Sequence, residues 1–316
     1  MYSIKLQRGF TLLELIFVIV ILGIVASVGS SIIAQVFGGY ITQRAVHDAS
    51  LKTELAIDQL ANRLSYRMND SLLARKPTST GNTPGDDYYS ARNVPLAKRG
   101  DYRALEWISY DSDSFEAFQQ PGWSGFCDLT SSSFSSILSV GSLLSNIYKV
   151  KEHYNAGTND THGGAIRFMT SHFDTNNSKV YDSTCMYAGT ATGCMFPVDL
   201  GASNVLTFST ANAGDRTAGA MVYSEFYQYA LSAFTVVPEN ESTIHGLKVY
   251  DLNLYYGYQP WEGEHFSNAK SATLIKNVSV FRFRKEQNSI RLKLCVIERI
   301  SDTDQISICK EKAVIR

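Results

Sequence analysis

A single carboxylate, Glu14, stands at the mouth of a stretch that carries no charge from Leu15 to Phe37. An acid in that position is costly in hydrocarbon unless it is neutralised or paired, so it points to an electrostatic role rather than to packing. Other candidate chemistry is sparse. Five cysteines follow the apolar stretch, Cys127, Cys185, Cys194, Cys295 and Cys309, with no CxxC pair, a pattern that suits disulfides in an oxidising compartment better than zinc. The six histidines, His47, His153, His162, His172, His245 and His265, form no HExxH and no pair at metal-ligand spacing. Gly122-Trp123-Ser124-Gly125 is not a GxSxG nucleophile elbow, and no glycine loop of the phosphate-cradling kind occurs. Asp111 with Asp113, and Asp302 with Asp304, lack the glycine and terminal glutamate of a calcium loop and read as turn caps. No enzymatic activity, metal or cofactor is therefore expected. Asp174-Thr175-Asn176-Asn177-Ser178 fits the N-x-[ST] acceptor, with an acid two residues upstream, which makes Asn176 a candidate glycosylation site.

The element that positions Glu14 is the apolar stretch itself. About 20 residues at about 1.5 Å rise cross a hydrocarbon core of roughly 30 Å, so residues 10–37 read as a spanning helix. Lys5 and Arg8 precede it and the first charge after it is Arg44, which predicts a cytoplasmic N-terminus and a translocated C-terminal bulk. An ordinary secretory signal cut near Val25-Ala26-Ser27 is the competing reading. The acid inside the apolar region, and the continuation of that region past the small residues, argue against it.

Gly9 followed by Phe10-Thr11-Leu12-Leu13-Glu14 resembles the processing motif of type IV prepilins and the related type II secretion pseudopilins. The resemblance covers Arg8 to about Gly29. It implies that a prepilin peptidase cuts after Gly9 and methylates Phe10, and that Glu14 is the assembly carboxylate. It further implies other pilin or pseudopilin subunits, an inner-membrane assembly platform and the bacterial inner membrane as partners, with a periplasmic head that is later carried into a filament. In a low-dielectric medium the new amine of Phe10 on one subunit and Glu14 of the next attract strongly, which selects subunits for assembly. Many major pilins carry a proline in this segment; Ser30-Ser31 stands here, and no proline occurs before Pro77.

The chain has 316 residues, enough for one or two domains, and removing leader and helix leaves about 240, ample for a buried core. A net charge of −1 gives no support to nucleic-acid binding, so DNA stays an unsupported partner. The expected fold is α+β: a leader over 1–9, a long N-terminal helix over 10–75, and a head over 76–316 built mainly of antiparallel sheet. Leu51, Leu55, Leu60, Leu64, Met68 and Leu72 form the apolar stripe that should pack the second half of the helix on the head. The helix is either continuous or broken at Gly38-Gly39. Residues 75–100, rich in Pro, Gly, Ser and Thr, read as a loop. Strands are expected over 102–110, 165–169, 205–208, 247–258 and 272–284, with a short helix near Leu143, Leu144 and Ile147.

Residues 290–300 and 305–315 read as a hairpin around Ser301-Asp302-Thr303-Asp304. Centring it on Asp302 places Cys295 opposite Cys309 and Lys293 opposite Glu311. Leu292, Leu294, Val296, Ile306 and Ile308 then share the core face. A Cys295–Cys309 disulfide follows, and proximity alone suggests a second, Cys185–Cys194. Asn277-Val278-Ser279-Val280-Phe281-Arg282-Phe283 and Arg291-Leu292-Lys293-Leu294 are similar to the C-terminal region of the larger minor subunits, the J-type pseudopilin and the W-type minor pilin. That likeness implies a minor subunit that primes or caps a filament. A tip adhesin or DNA-uptake pilin, with Tyr255, Tyr256, Tyr258 and Trp261 on a ligand, and a plain single-pass anchored protein are the alternatives.

Overall fold

Helix α1 runs unbroken from Leu12 to Ser65 and is 54 residues long. The structure, a computed structural model, describes residues 11–68, 71–81, 83–116, 119–133, 135–154, 163–169, 195–201, 203–208 and 224–315. Gly38 and Gly39 do not interrupt α1, and nothing lies within 4 Å of where their side chains would begin. The helix ends ten residues earlier than the pattern suggests. After Ser65, Arg67 bridges Ser109 and the Met68 N–H donates to the Ile108 carbonyl at 2.8 Å, drawing the chain into the sheet. Leu73–Arg75 is therefore strand β1, not helix. Met68 and Leu72 are buried as expected, but from extended backbone; their helical spacing is coincidental.

The face that α1 turns to the head is also corrected. Ala49, Thr53, Ala56, Ile57, Leu60, Ala61 and Leu64 are buried, at the three- and four-residue spacing of one helical face. Leu51 and Leu55 lie on the opposite side, about half exposed. Small residues at 49, 53 and 56 let the helix axis approach the sheet closely, a role that hydrophobicity counting passes over. Arg67 donates to the Leu64 carbonyl at 2.8 Å and to the Asn288 carbonyl at 2.9 Å, capping the helix and tying it to a distant turn.

The remaining strands of the large sheet are β2 (Tyr88–Ser90) and β3 (Ala104–Ser109), then, after a long excursion that contains five further strands, β9 (Ser232–Ile244), β10 (Leu247–Tyr258), β11 (Lys270–Glu286), β12 (Ser289–Arg299) and β13 (Gln305–Ile315). Its eight strands lie in the order β13-β12-β11-β10-β9-β3-β1-β2, antiparallel throughout. The β12–β13 register is the expected one, with Cys295 opposite Cys309 and Lys293 opposite Glu311. Leu292, Leu294 and Val296 are buried under α1, whereas Ile306 and Ile308 on the edge strand are only half-buried.

Strand β9 is absent from the expectation, and Pro238-Glu239-Asn240-Glu241 lies within it. The structure accommodates that segment in a bulge, with Asn240 at φ 53° opposite the register shift between Val249 and Asp251. A two-residue turn with positive φ at both His245 and Gly246 then joins β9 to β10. The excursion between β3 and β9 forms a second lobe. It holds α2 (Ser112–Glu116), β4 (Ser136–Leu138), α3 (Ser145–Tyr154), β5 (Ala165–Phe168), β6 (Phe196–Leu200), β7 (Val205–Phe208) and β8 (Tyr227–Ala230). Its five strands lie in the order β4-β7-β6-β5-β8 over their own core of Trp123, Ile137, Phe168, Leu206 and Tyr229. Ser109 and Ser232, where the chain leaves and re-enters the large sheet, are register partners, so this lobe is grafted onto a hairpin. The α+β class stands: one long helix and a mainly antiparallel head.

Candidate processing and assembly site

Thr11 is extended (φ −77°, ψ 149°) and caps α1 with its side chain, which accepts from the Glu14 N–H at 3.3 Å. The Glu14 carboxylate folds back to accept from the Thr11 N–H at 3.4 Å, completing a capping box. Glu14 therefore has a second reason to sit three residues after Thr11: its negative charge lies at the electropositive end of the helix. Gly9 and Phe10 lie outside the described residues.

From Leu12 to Ile41 the apolar side chains of α1 stay largely exposed. Two hydroxyls in and just after this segment bond back to the helix. The Ser31 hydroxyl donates to the Val28 carbonyl at 2.8 Å, and Thr42 to the Gly38 carbonyl at 3.0 Å. Such back-bonding keeps hydroxyls tolerable in lipid, where no water is available to them. By length and composition α1 is the one described helix that suits a membrane span.

The docked half of α1 adds ion pairs to its apolar seam. Lys310 meets Glu54 at 3.0 Å and Lys312 meets Asp58 at 2.5 Å, both across the surface of β13. That strand is joined to β12 by the Cys295–Cys309 disulfide, with Lys293 and Glu311 paired at 2.8 Å beside it. Cys127 is fully buried, donates to the Ser224 carbonyl, and burial pushes its thiol up to about 11, so it is chemically quiet. Cys185, Cys194 and Asn176 lie outside the described residues.

Asp111 does cap a turn: it accepts from the Ser114 N–H at 3.1 Å and from the Ser114 hydroxyl at the start of α2. Among the described residues no cluster of metal-ligating side chains is found. Tyr258 and Trp261 are core residues, while Tyr255 and Tyr256 are half-buried.

One polar constellation was not legible beforehand. Arg75, 1% exposed, donates to Glu106 at 2.6 Å, and Glu106 accepts from the Tyr258 hydroxyl at 2.6 Å. The same guanidinium donates to the Gly81 carbonyl at 2.7 Å, lies 3.3 Å from His265 Nε2, and rests over the Tyr88 ring. Burial, and then the charge on Arg75, push the His265 imidazole down to about 4. Its members come from positions up to 190 residues apart, and no local pattern announces them. The network pins the 76–103 segment and the 259–269 segment to the sheet.

Residues 4–30 match the family model described as the prokaryotic N-terminal methylation motif. No curated protein and no solved structure matches the chain. The match supports a type IV pilin-like precursor, a class of structural subunits processed by prepilin peptidase and assembled with other pilins.

Proposed function

We propose that this chain is a minor pilin or pseudopilin, a low-copy subunit that primes or caps a pilus-like filament. The observation that carries the reading is the motif at residues 4–30, together with a carboxylate at Glu14 held at the N-terminal turn of an otherwise apolar rod. A peptidase on the cytoplasmic face cuts after Gly9 and methylates Phe10. The head faces the periplasm, anchored by α1, until the subunit leaves the bilayer. Glu14 of the incoming subunit then pairs with the Phe10 amine of its neighbour, an attraction that lipid strengthens and water would screen.

Head size favours the end of a filament over its shaft. The grafted lobe between β3 and β9 adds about 120 residues beside the main sheet, bulk that is hard to repeat at the short axial rise of a helix bundle. The second disulfide, Cys185–Cys194, belongs to the same proposal and rests on the closeness of the two cysteines in the sequence.

The experiment is mass analysis of the native N-terminus alongside incorporation of Glu14→Gln. A methylated Phe10, and a variant that stays in the membrane fraction with its head melting unchanged, are expected. A chain that still begins at Met1 is a plain single-pass anchor and ends the proposal. Stoichiometry tests the minor role separately: one or few copies per filament are expected, and copies along the whole shaft contradict it.

A further inference from the structure

The two faces of the C-terminal strands treat their charges differently. On the face under α1, each lysine of β13 meets an acid of the helix, Lys310 with Glu54 and Lys312 with Asp58. Side chains alternate between faces along a strand, so Arg282, Arg284, Arg291 and Lys293 lie on the face away from α1, while Phe281, Leu292 and Leu294 are buried in the core beneath the helix. The β11–β12 register sets these four bases on two successive rungs of that face, Arg282 directly opposite Lys293 and Arg284 directly opposite Arg291. All four are exposed, Arg284 over 67% and Arg291 over 70% of the side chain. Like charges directly opposite on one face work against the pairing of the strands that carry them.

Two acids answer these four bases. Glu286 is shared between Arg284 at 3.2 Å and Arg291 at 3.4 Å, and Glu311 holds Lys293 at 2.8 Å. Arg282 meets no carboxylate among the described residues. The excess positive charge sits on a grid about 5 Å across the strands and about 7 Å along them. That grid narrows the occupant. An extended strand with carboxylates at positions i and i+2 carries them about 7 Å apart on one side, the spacing of the two rungs, and each carboxylate can enter between two bases with charge-assisted hydrogen bonds. A long polyanion fits less well. Glu286 closes one end of the grid and Glu311 one side, and Phe281 and Phe283, the aromatic rings of β11–β13, lie on the α1 side, so no ring is offered to a nucleic-acid base. A lipid surface is remote: Arg67 ties the adjoining turn at Asn288 to the end of α1, roughly 35 Å along the helix from Ile41 at about 1.5 Å per residue.

We propose that this face of β11–β12 is a docking surface for a protein partner that presents an acidic strand, its alternate carboxylates seated between Arg282 and Lys293 and between Arg284 and Arg291. The surface is separate from Gly9, Phe10 and Glu14, so its test is separable from that of the proposed function. Detergent-solubilised full-length protein at low ionic strength is titrated by calorimetry with a Glu-Thr repeat peptide, with the matching Gln-Thr repeat, and with a short oligothymidylate. Saturable binding of the Glu-Thr peptide is expected, about tenfold tighter than that of the Gln-Thr peptide and weakening as salt is added. Arg282→Gln with Arg284→Gln should weaken the Glu-Thr peptide about tenfold, while the thermal melt holds or rises because the opposed like charges are relieved. Arg282→Gln alone, which breaks no ion pair, should weaken it about threefold. Lys310→Gln, on the α1 face, should leave binding unchanged. The proposal is overturned if the Glu-Thr peptide does not bind saturably, if the double variant binds it as the native chain does, or if that variant melts earlier and Arg282→Gln alone has no effect. Tighter binding of the oligothymidylate than of the Glu-Thr peptide overturns it as well.

Discussion

The two ends of the large sheet are held by different physics. At the β13 end the fastening is covalent and superficial: the Cys295–Cys309 disulfide, the Lys293–Glu311 pair on one face, and Lys310 and Lys312 reaching Glu54 and Asp58 of α1. At the β1–β3 end it is buried and ionic, with Arg75 and Glu106 both 1% exposed and His265, Tyr258 and Gly81 completing the coordination. The β13 end is made of strands that follow one another in the chain. The β1–β3 end gathers three short strands that join the rest of the sheet only where β3 pairs with β9, far along the chain. Adjacent strands need only a cross-link and a turn, whereas scattered segments need a deep polar node to specify where each belongs.

That contrast makes the β1–β3 end the more fragile to substitution. Arg75→Met leaves Glu106 buried without its partner and should cost about 3–5 kcal/mol, read as a lowered denaturation midpoint. Adding Glu106→Leu should recover part of that loss, and a double variant as unstable as the single one would show that charge burial is not the issue. Removing the disulfide at the β13 end by Cys295→Ala with Cys309→Ala closes no 14-residue loop in the unfolded chain and should cost about 3 kcal/mol. A loss well above that of Arg75→Met would invert the comparison.

Acid sharpens the comparison further. At neutral pH His265 is uncharged both folded and unfolded, and it contributes no pH dependence. Below its ordinary value near 6.5 the unfolded chain takes up a proton that the folded chain refuses until about pH 4, because burial, and then the charge on Arg75, disfavour the imidazolium. Stability should therefore fall as pH drops through that window, by up to about 3 kcal/mol. His265→Gln should flatten the profile there. Groups facing the ring include Arg75, Glu106 through Arg75, and Asp87, whose own carboxyl is held low by the Ser79 hydroxyl. Lowered Asp87 adds a loss in the same direction at lower pH. The smallest effect belongs to the α1 ion pairs: Lys312→Ala, with partners each 40% exposed, should cost under about 1 kcal/mol and less in salt. A larger loss would mean that α1 is docked by charge rather than by Ile57, Leu60 and Leu64.

What could be read beforehand follows the same division. The C-terminal hairpin was legible because its pairing is local: once Asp302 is the centre, chain geometry places every partner, cysteines included. Helix α1 was legible over its apolar half, where composition alone dictates the state. Its end was not, because Met68 and Leu72 keep helical spacing while hydrogen bonds to β3 draw the backbone out of the helix. The contact face was misread for a related reason. Leucines mark hydrophobicity, but close approach to a sheet selects small residues such as Ala49 and Ala56.

Read alone, the amino-acid chain establishes an uncharged segment that suits a membrane, a carboxylate at its entrance, and a mainly antiparallel head, since each rests on composition or on spacing within a few residues. Tertiary structure alone decides where Arg75 finds Glu106 and His265, how a whole lobe grows from one hairpin, and that Trp107, Phe234 and Tyr256 fall on one rung beneath Arg63. Those arrangements join residues far apart in the chain, and only the folded sheet, by aligning its strands, brings their side chains within reach.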